Sequence, residues 1–245
     1  MMTSNIVIEF EEMIDIDFTQ ASIYMDACFI LAYLDSKDAR GDKVANIMEK
    51  WDKDGIDCVA ISNLVMSEVV HNLFKNEIRN VLALTHKILK REKGRSFTPT
   101  AEELDVLNDF ETAKRLTSLI PKSKLDDLIR TGQLHYSIEE LLKQYKIRFP
   151  LDRDPLHHYY NKSVDSYNAF VEGIGFKVLT PDSGFSTQLA ASSYIKLFQL
   201  SPYDAFHLAL AAENHFDYLA TLDSDFVHNY YTKENIGFFK VLKVA

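Results

Sequence analysis

The chain has 245 residues and a mass of 28.1 kDa, with 47% hydrophobic and 26% charged residues, 8 Gly and 6 Pro. This composition excludes a disordered, collagenous or low-complexity chain and can fill a buried core. Its 27 Lys+Arg against 36 Asp+Glu give a formal net charge of −9, which argues against coating nucleic acid by bulk attraction. Cys28 and Cys58 have no CxxC or Cys/His spacing, so neither a disulfide framework nor a structural zinc site is expected. The opening MMTSNIVIEFEE lacks a signal-peptide pattern, and no run approaches the roughly 18 apolar residues of a membrane span. A soluble, unprocessed, cytoplasmic protein with no membrane association is expected.

In chain order, residues 1–21 read as an acidic extension, with Glu9, Glu11, Glu12, Asp15 and Asp17 solvated. A short β-type run, Ser22–Asp26, leads into an apolar helix over Phe29–Leu34. A second helix carries Val44, Ile47, Met48 and Trp51 at helical spacing and stops at Gly55. Asp57–Ile61 has a buried-strand pattern, and Ser62 or Asn63 is placed to cap a long helix bearing Val65, Val69, Leu73, Phe74, Ile78, Leu82 and Leu89. From Gly94 to about Gly173 strand signals vanish, and helix starts are marked at Thr100–Glu103, Ser123–Asp126, Ser137–Glu140 and Asp154–Pro155. The strand–helix rhythm then returns with Phe176–Leu179, helices near Ser186–Leu197 and from Ser201 to about Asn214, and strands Tyr218–Thr221 and Phe238–Val244.

This alternation predicts an α/β fold, a parallel β-sheet sandwiched by helices with an all-helical insertion. Residues 1–245 would form a single domain with its core at about 22–93 and 174–245 and the insertion at about 94–173. Charge follows a similar division. Between His71 and Asp165 there are 17 basic and 14 acidic residues, leaving 10 and 22 elsewhere. Lys87, Lys90, Arg91, Lys93 and Arg95 make a local basic patch, readable either as a solvated helix face or as a phosphate-contacting surface.

In an open α/β sheet the functional crevice lies beyond the carboxyl ends of the strands. Asp26 ends the first strand, Glu68 lies in the helix after the second, and Asp223 and Asp225 follow the strand YLAT, while Asp204 is in the first turn of the helix opening Ser201–Pro202. Carboxylates on one sheet edge without Lys or Arg in their motifs would repel one another, and a hard divalent cation, Mg2+ or Mn2+, would relieve that conflict. Each residue also has a plainer role. Asp26 could cap a helix, Glu68 sit on a helix surface, Asp204 complete a capping box, and Asp223 and Asp225 serve a turn.

The stretches YMDACFILAYL (Tyr24–Leu34), AISNLVMSEVV (Ala60–Val70) and SPYDAFHLALAAENHFDYLATLDSDF (Ser201–Phe226) together resemble the PIN-domain nucleases, the fold of VapC-type toxins. The resemblance implies a metal-dependent endoribonuclease in which water attacks phosphorus and leaves a 5′-phosphate and a 3′-hydroxyl. Asp26, Glu68, Asp204 and Asp223 would be its catalytic residues, Asp26, Asp204 and Asp223 holding metal and Glu68 holding metal or orienting the water. Asp225 would be a fifth metal contributor, and Thr221 the hydroxyl beside the last pair. Cys28 stands where the family often has Asn or Ser. The implied partners are an RNA substrate and, for a toxin, an antitoxin protein, with a homodimer an open assembly.

Two other readings stand beside this one. A Toprim-like nuclease would use Glu68 with Asp223–Ser224–Asp225 but leaves Asp26 and Asp204 unexplained, while a catalytically silent scaffold would bind RNA or protein through its helical insertion. His207 is expected to be packed or to support the site residues from behind rather than to be a ligand. The group Asp152, Asp154, His157 and His158 is explained by the helix start at Asp154–Pro155, and Tyr159, Tyr160 and Tyr167 by helical packing. No Gly-rich phosphate loop, HExxH or GxSxG occurs.

Overall fold

The computed structural model describes residues 6–91, 99–152, 154–226 and 231–244. Its chain divides into two compact units, one made of Met1–Val69 with Tyr167–Ala245 and the other of Val70–Ser166. The first unit opens with β1 (Val7–Glu9), α1 (Phe10–Met13), β2 (Ile23–Met25), α2 (Ala27–Leu34), α3 (Gly41–Lys53), β3 (Cys58–Ala60) and the start of α4 (Asn63–Arg91). The second holds the rest of α4, then α5 (Ala101–Leu107), α6 (Phe110–Ser118), α7 (Lys122–Thr131), α8 (Ile138–Arg148) and most of α9 (Asp154–Gly173). The chain returns to the first unit through β4 (Lys177–Leu179), α10 (Phe185–Phe198), α11 (Pro202–Glu213), β5 (Tyr218–Thr221), a 3-10 turn over Ser224–Phe226, α12 (Lys233–Ile236) and β6 (Lys240–Lys243).

The six strands form one all-parallel sheet in the order β1-β6-β5-β2-β3-β4. The protein is therefore α/β, and its central strand β2 is buried at every position, as a parallel strand covered on both faces must be. Phe29 stacks on Trp51 with ring centroids 5.4 Å apart, and Phe18 meets Trp51 and Tyr218 edge-on at 6.3 and 5.2 Å. Gly41 opens α3 against α2, where a Cβ would lie 2.8 Å from the Ala32 carbonyl oxygen, so only glycine fits.

Several boundaries differ from the sequence reading. Residues 7–9 of the expected solvated extension form a sheet strand, because β1 pairs with β6 in the register Val7–Val241, Ile8–Leu242 and Glu9–Lys243. The helical unit begins at Val70, inside α4, rather than near 94, and ends at Ser166 rather than 173. The reason is the apolar face of α4, whose Phe74, Ile78, Val81, Leu82 and Ile88 join a core with Leu116, Leu141, Tyr145 and Tyr159. Ser123 does not cap α7, since Pro121 occupies the cap position. Thr100 and Ser137 do cap α5 and α8, each accepting from the amide three residues on. Among the described residues no helix is long and apolar enough to cross a membrane.

Candidate functional site

The strand order reverses between β2 and β5, which lie side by side in the sheet. Their carboxyl ends therefore flank the topological switch point where an open α/β sheet leaves a crevice. Asp26 follows β2 and caps α2, while Asp223 follows β5 and caps the 3-10 turn by accepting from the Asp225 amide at 2.8 Å. Glu68 comes from the first turns of α4 and Asp204 from the first turn of α11.

The Asp26 side chain is 6% exposed. Its Oδ1 accepts from the Ala27 amide at 2.7 Å, and its Oδ2 from the Cys28 thiol at 2.8 Å and the Thr221 hydroxyl at 2.9 Å. Burial, then the Asp26 charge, pushes the Cys28 thiol up in pKa, so it remains a proton donor to this carboxylate. Thr221 Oγ1 also accepts from the Asp223 amide at 2.9 Å, and the Leu222 amide donates to Cys28 Sγ at 3.2 Å. One buried hydroxyl thus fixes the end of β5 against the end of β2.

His207 lies at the centre of this region, 1% exposed. Its Nε2 is 3.3 Å from Glu68 Oε2 and 3.9 Å from Asp26 Oδ1, and its Nδ1 is 2.8 Å from the Tyr24 hydroxyl. Tyr24 continues to Ser62 Oγ at 2.8 Å, which accepts from the Val65 amide at 3.2 Å and so caps α4. Two carboxylates facing Nε2 place the ring proton there, so in the neutral imidazole Nδ1 accepts from Tyr24. Burial lowers the His207 pKa, but the Glu68 hydrogen bond and the charges of Asp26, Glu68 and Asp204 outweigh it, and the net shift is upward.

Burial also raises the Asp204 pKa. The Ser201 hydrogen bond opposes this, the charges of Asp223 and Asp26 add to it, His207 lowers it, and the net shift is upward. No lysine or arginine pairs with Asp26, Asp204 or Asp223 among the described residues. A carboxylate such as Asp204, whose proton affinity burial and the neighbouring charges raise, is chemically suited to a hard cation. In the geometry present, however, no group of three or more His, Cys, Asp or Glu among the described residues is arranged to hold one.

The structure thus brings Asp26, Glu68 and Asp204 to His207, with Asp223 close enough to Asp204 to shift its pKa. Asp225 is exposed. In the helical unit Lys87 is exposed, Lys90 pairs with Asp126, and Arg91 pairs with Glu103 at 3.4 Å. Lys93 and Arg95 lie outside the described residues. The sequence offers His207 as a packed or supporting residue and Ser62 as a cap, but not Tyr24, nor the joining of the three into one network. Tyr24 sits two before Asp26, on the same strand face, and His207 three after Asp204, on the same helix face, and that spacing was the available signal.

Comparison with family models, with curated proteins and with solved structures returned no match for this chain.

Proposed function

We propose that this protein is a divalent-metal-dependent endoribonuclease with a PIN-like fold, the helical unit being an insertion into that fold. The observation that carries the reading is the gathering of Asp26, Glu68, Asp204 and Asp223, from four separate segments, at the switch point of a parallel sheet. Asp26, Asp204 and Asp223 would hold Mg2+ or Mn2+, with Asp225, whose amide donates to Asp223, as a further contributor. When bound, the ion supplies positive charge to the phosphodiester oxygens and a more acidic water. Asp26 is pre-set for its role by the Ala27 amide and the Thr221 hydroxyl. Glu68, held from behind by His207 Nε2, orients the water that attacks phosphorus. The P–O3′ bond breaks, the proton passes to the departing O3′, and the products are a 5′-phosphate and a 3′-hydroxyl. Such an enzyme could serve as a toxin restrained by an antitoxin protein.

A catalytically silent scaffold is the second reading. It is favoured by the three hydrogen bonds that Asp26 already accepts and by the lack of a three-ligand group among the described residues.

The deciding experiment is cleavage of total RNA with Mn2+, Mg2+ or EDTA, by the wild type and by folded Asp26→Asn and Asp204→Asn proteins. Asparagine retains helix-capping geometry. Each variant should lose at least about 100-fold, beyond the 10–100-fold typical of an outer partner of a metal ligand. Cleavage that survives EDTA or both substitutions rejects the metal mechanism. A folded wild type that neither cleaves RNA nor binds Mn2+ by calorimetry is the scaffold.

A further inference from the structure

A cleft of about 840 Å³ opens in the first unit, walled by Ser62, Asn63, Ser67, Asp182, Tyr203 and Phe206 among others, and Ser62 joins it to the Tyr24–His207 network. Two of its walls are sequence neighbours of site residues. Tyr203 precedes Asp204 on α11 and Ser67 precedes Glu68 on α4. Consecutive helix positions point about 100° apart, so each helix turns a carboxylate toward the site and the adjacent side chain toward the cleft. Tyr203 is 65% exposed, so its ring face is open to a ligand in the cleft. No lysine or arginine lines the cleft, and its one ionisable carboxylate, Asp182, is acidic. The cleft therefore offers no cationic side chain to a phosphate, whereas a flat, neutral ring with hydrogen-bonding edges would be matched by an aromatic face, hydroxyls and an amide. The volume lies in the range of small-molecule sites.

We propose that this cleft is a nucleobase subsite, taking one unpaired base of the RNA strand next to the scissile phosphate and stacking it on Tyr203. The inference rests on the nuclease reading, and a base inside a duplex would have to unstack, at a cost in free energy, to enter.

The test uses the full chain carrying Asp223→Asn, which the proposed mechanism makes inactive. A labelled ten-nucleotide single-stranded RNA is titrated in Mg2+ and read by fluorescence anisotropy. Adding Tyr203→Ala should weaken binding about tenfold, within the range found when a base-stacking aromatic is truncated. Tyr203→Phe should stay within about twofold of the parent, since the ring face is kept. A strand with abasic residues, or the same sequence as a duplex, should bind the parent no better than the RNA binds Tyr203→Ala. Unchanged affinity in Tyr203→Ala, equal affinity for the abasic strand, or no RNA binding by the parent overturns the subsite. Cleavage by the Asp223→Asn protein would overturn the proposed catalytic role of Asp223 but not the subsite, whose test then becomes the KM for the same strands. Binding that follows these expectations, beside a wild type that never cleaves, keeps the subsite and rejects the enzyme.

Discussion

The two units differ in how they satisfy most of their buried hydroxyls, although Tyr159 in the helical unit does reach the Leu107 carbonyl 52 residues away. In the helical unit Thr85 donates to the Val81 carbonyl, Thr117 to that of Ala113 and Ser163 to that of Tyr159, each four residues back along its own helix. In the sheet unit Tyr24 bonds to Ser62 and His207, 38 and 183 residues away, and Thr221 bonds to Asp26 across 195 residues. A local bond forms with its helix and asks nothing of the tertiary fold. A bond between distant segments forms only when several elements are correctly placed, and each partner is left unsatisfied if they are not. Long-range polar networks are therefore expensive to keep, and their concentration at the switch point marks where this protein keeps side chains for a purpose other than stability.

Tyr24→Phe tests that difference most directly. The substitution keeps the ring packing on His207 and Phe216 but removes the hydroxyl between Ser62 and His207 Nδ1. Two buried partners lose a hydrogen bond, which should cost about 1–3 kcal/mol in urea denaturation. If the midpoint does not move, the network contributes no stability, and its contrast with the helical unit loses its meaning.

The opposite sign is expected at Asp204. Its carboxyl pKa is raised in the fold, by burial first and then by Asp223 and Asp26, so the ionised form is less favourable folded than unfolded. A group with a raised folded pKa contributes stability that is complete below its unfolded value, about 3.9, and is lost as pH rises through the folded value. At pH 7 Asp204→Asn should therefore melt about 1–2 °C above the metal-free wild type, the scale of a sub-kcal/mol gain in a chain of this size. The gap should close as pH falls below about 4, where both proteins are neutral at this position. A lower melting temperature at pH 7 would mean that the carboxylate is stabilising as it stands and is not held against its neighbours.

These contrasts also explain what could be read from the sequence. The parallel sheet and the places of Asp26 and Asp204 on it are legible because strand-end and helix-start positions are local signals, Asp26 following Ile23–Met25 and Asp204 following Ser201–Pro202. β1 was not legible. Three residues are too few to show alternation, and their pairing with β6 spans most of the chain. His207 was read as packed, which its burial bears out, but its bonds to Tyr24 and Glu68 join residues far apart in sequence. The start of α7 was misplaced because a serine with an acid three positions on matched the capping pattern, while Pro121 ended the preceding segment two residues earlier.

The smallest effect belongs to the local bonds. Thr85 is fully buried, and its hydroxyl donates to the Val81 carbonyl, which as a helix acceptor also receives the amide four residues on. In Thr85→Val the hydroxyl leaves, the carbonyl keeps its backbone partner, and a methyl takes the vacated space. The loss of one neutral hydrogen bond is offset by better burial, so the urea midpoint should correspond to a change below about 1 kcal/mol in either direction. The informative comparison is with Tyr24→Phe, which also removes one buried hydroxyl. A cost at Thr85 equal to that at Tyr24 would show that burial alone sets the penalty. A clear excess at Tyr24 would show that distance along the chain, and the number of partners left behind, sets it instead.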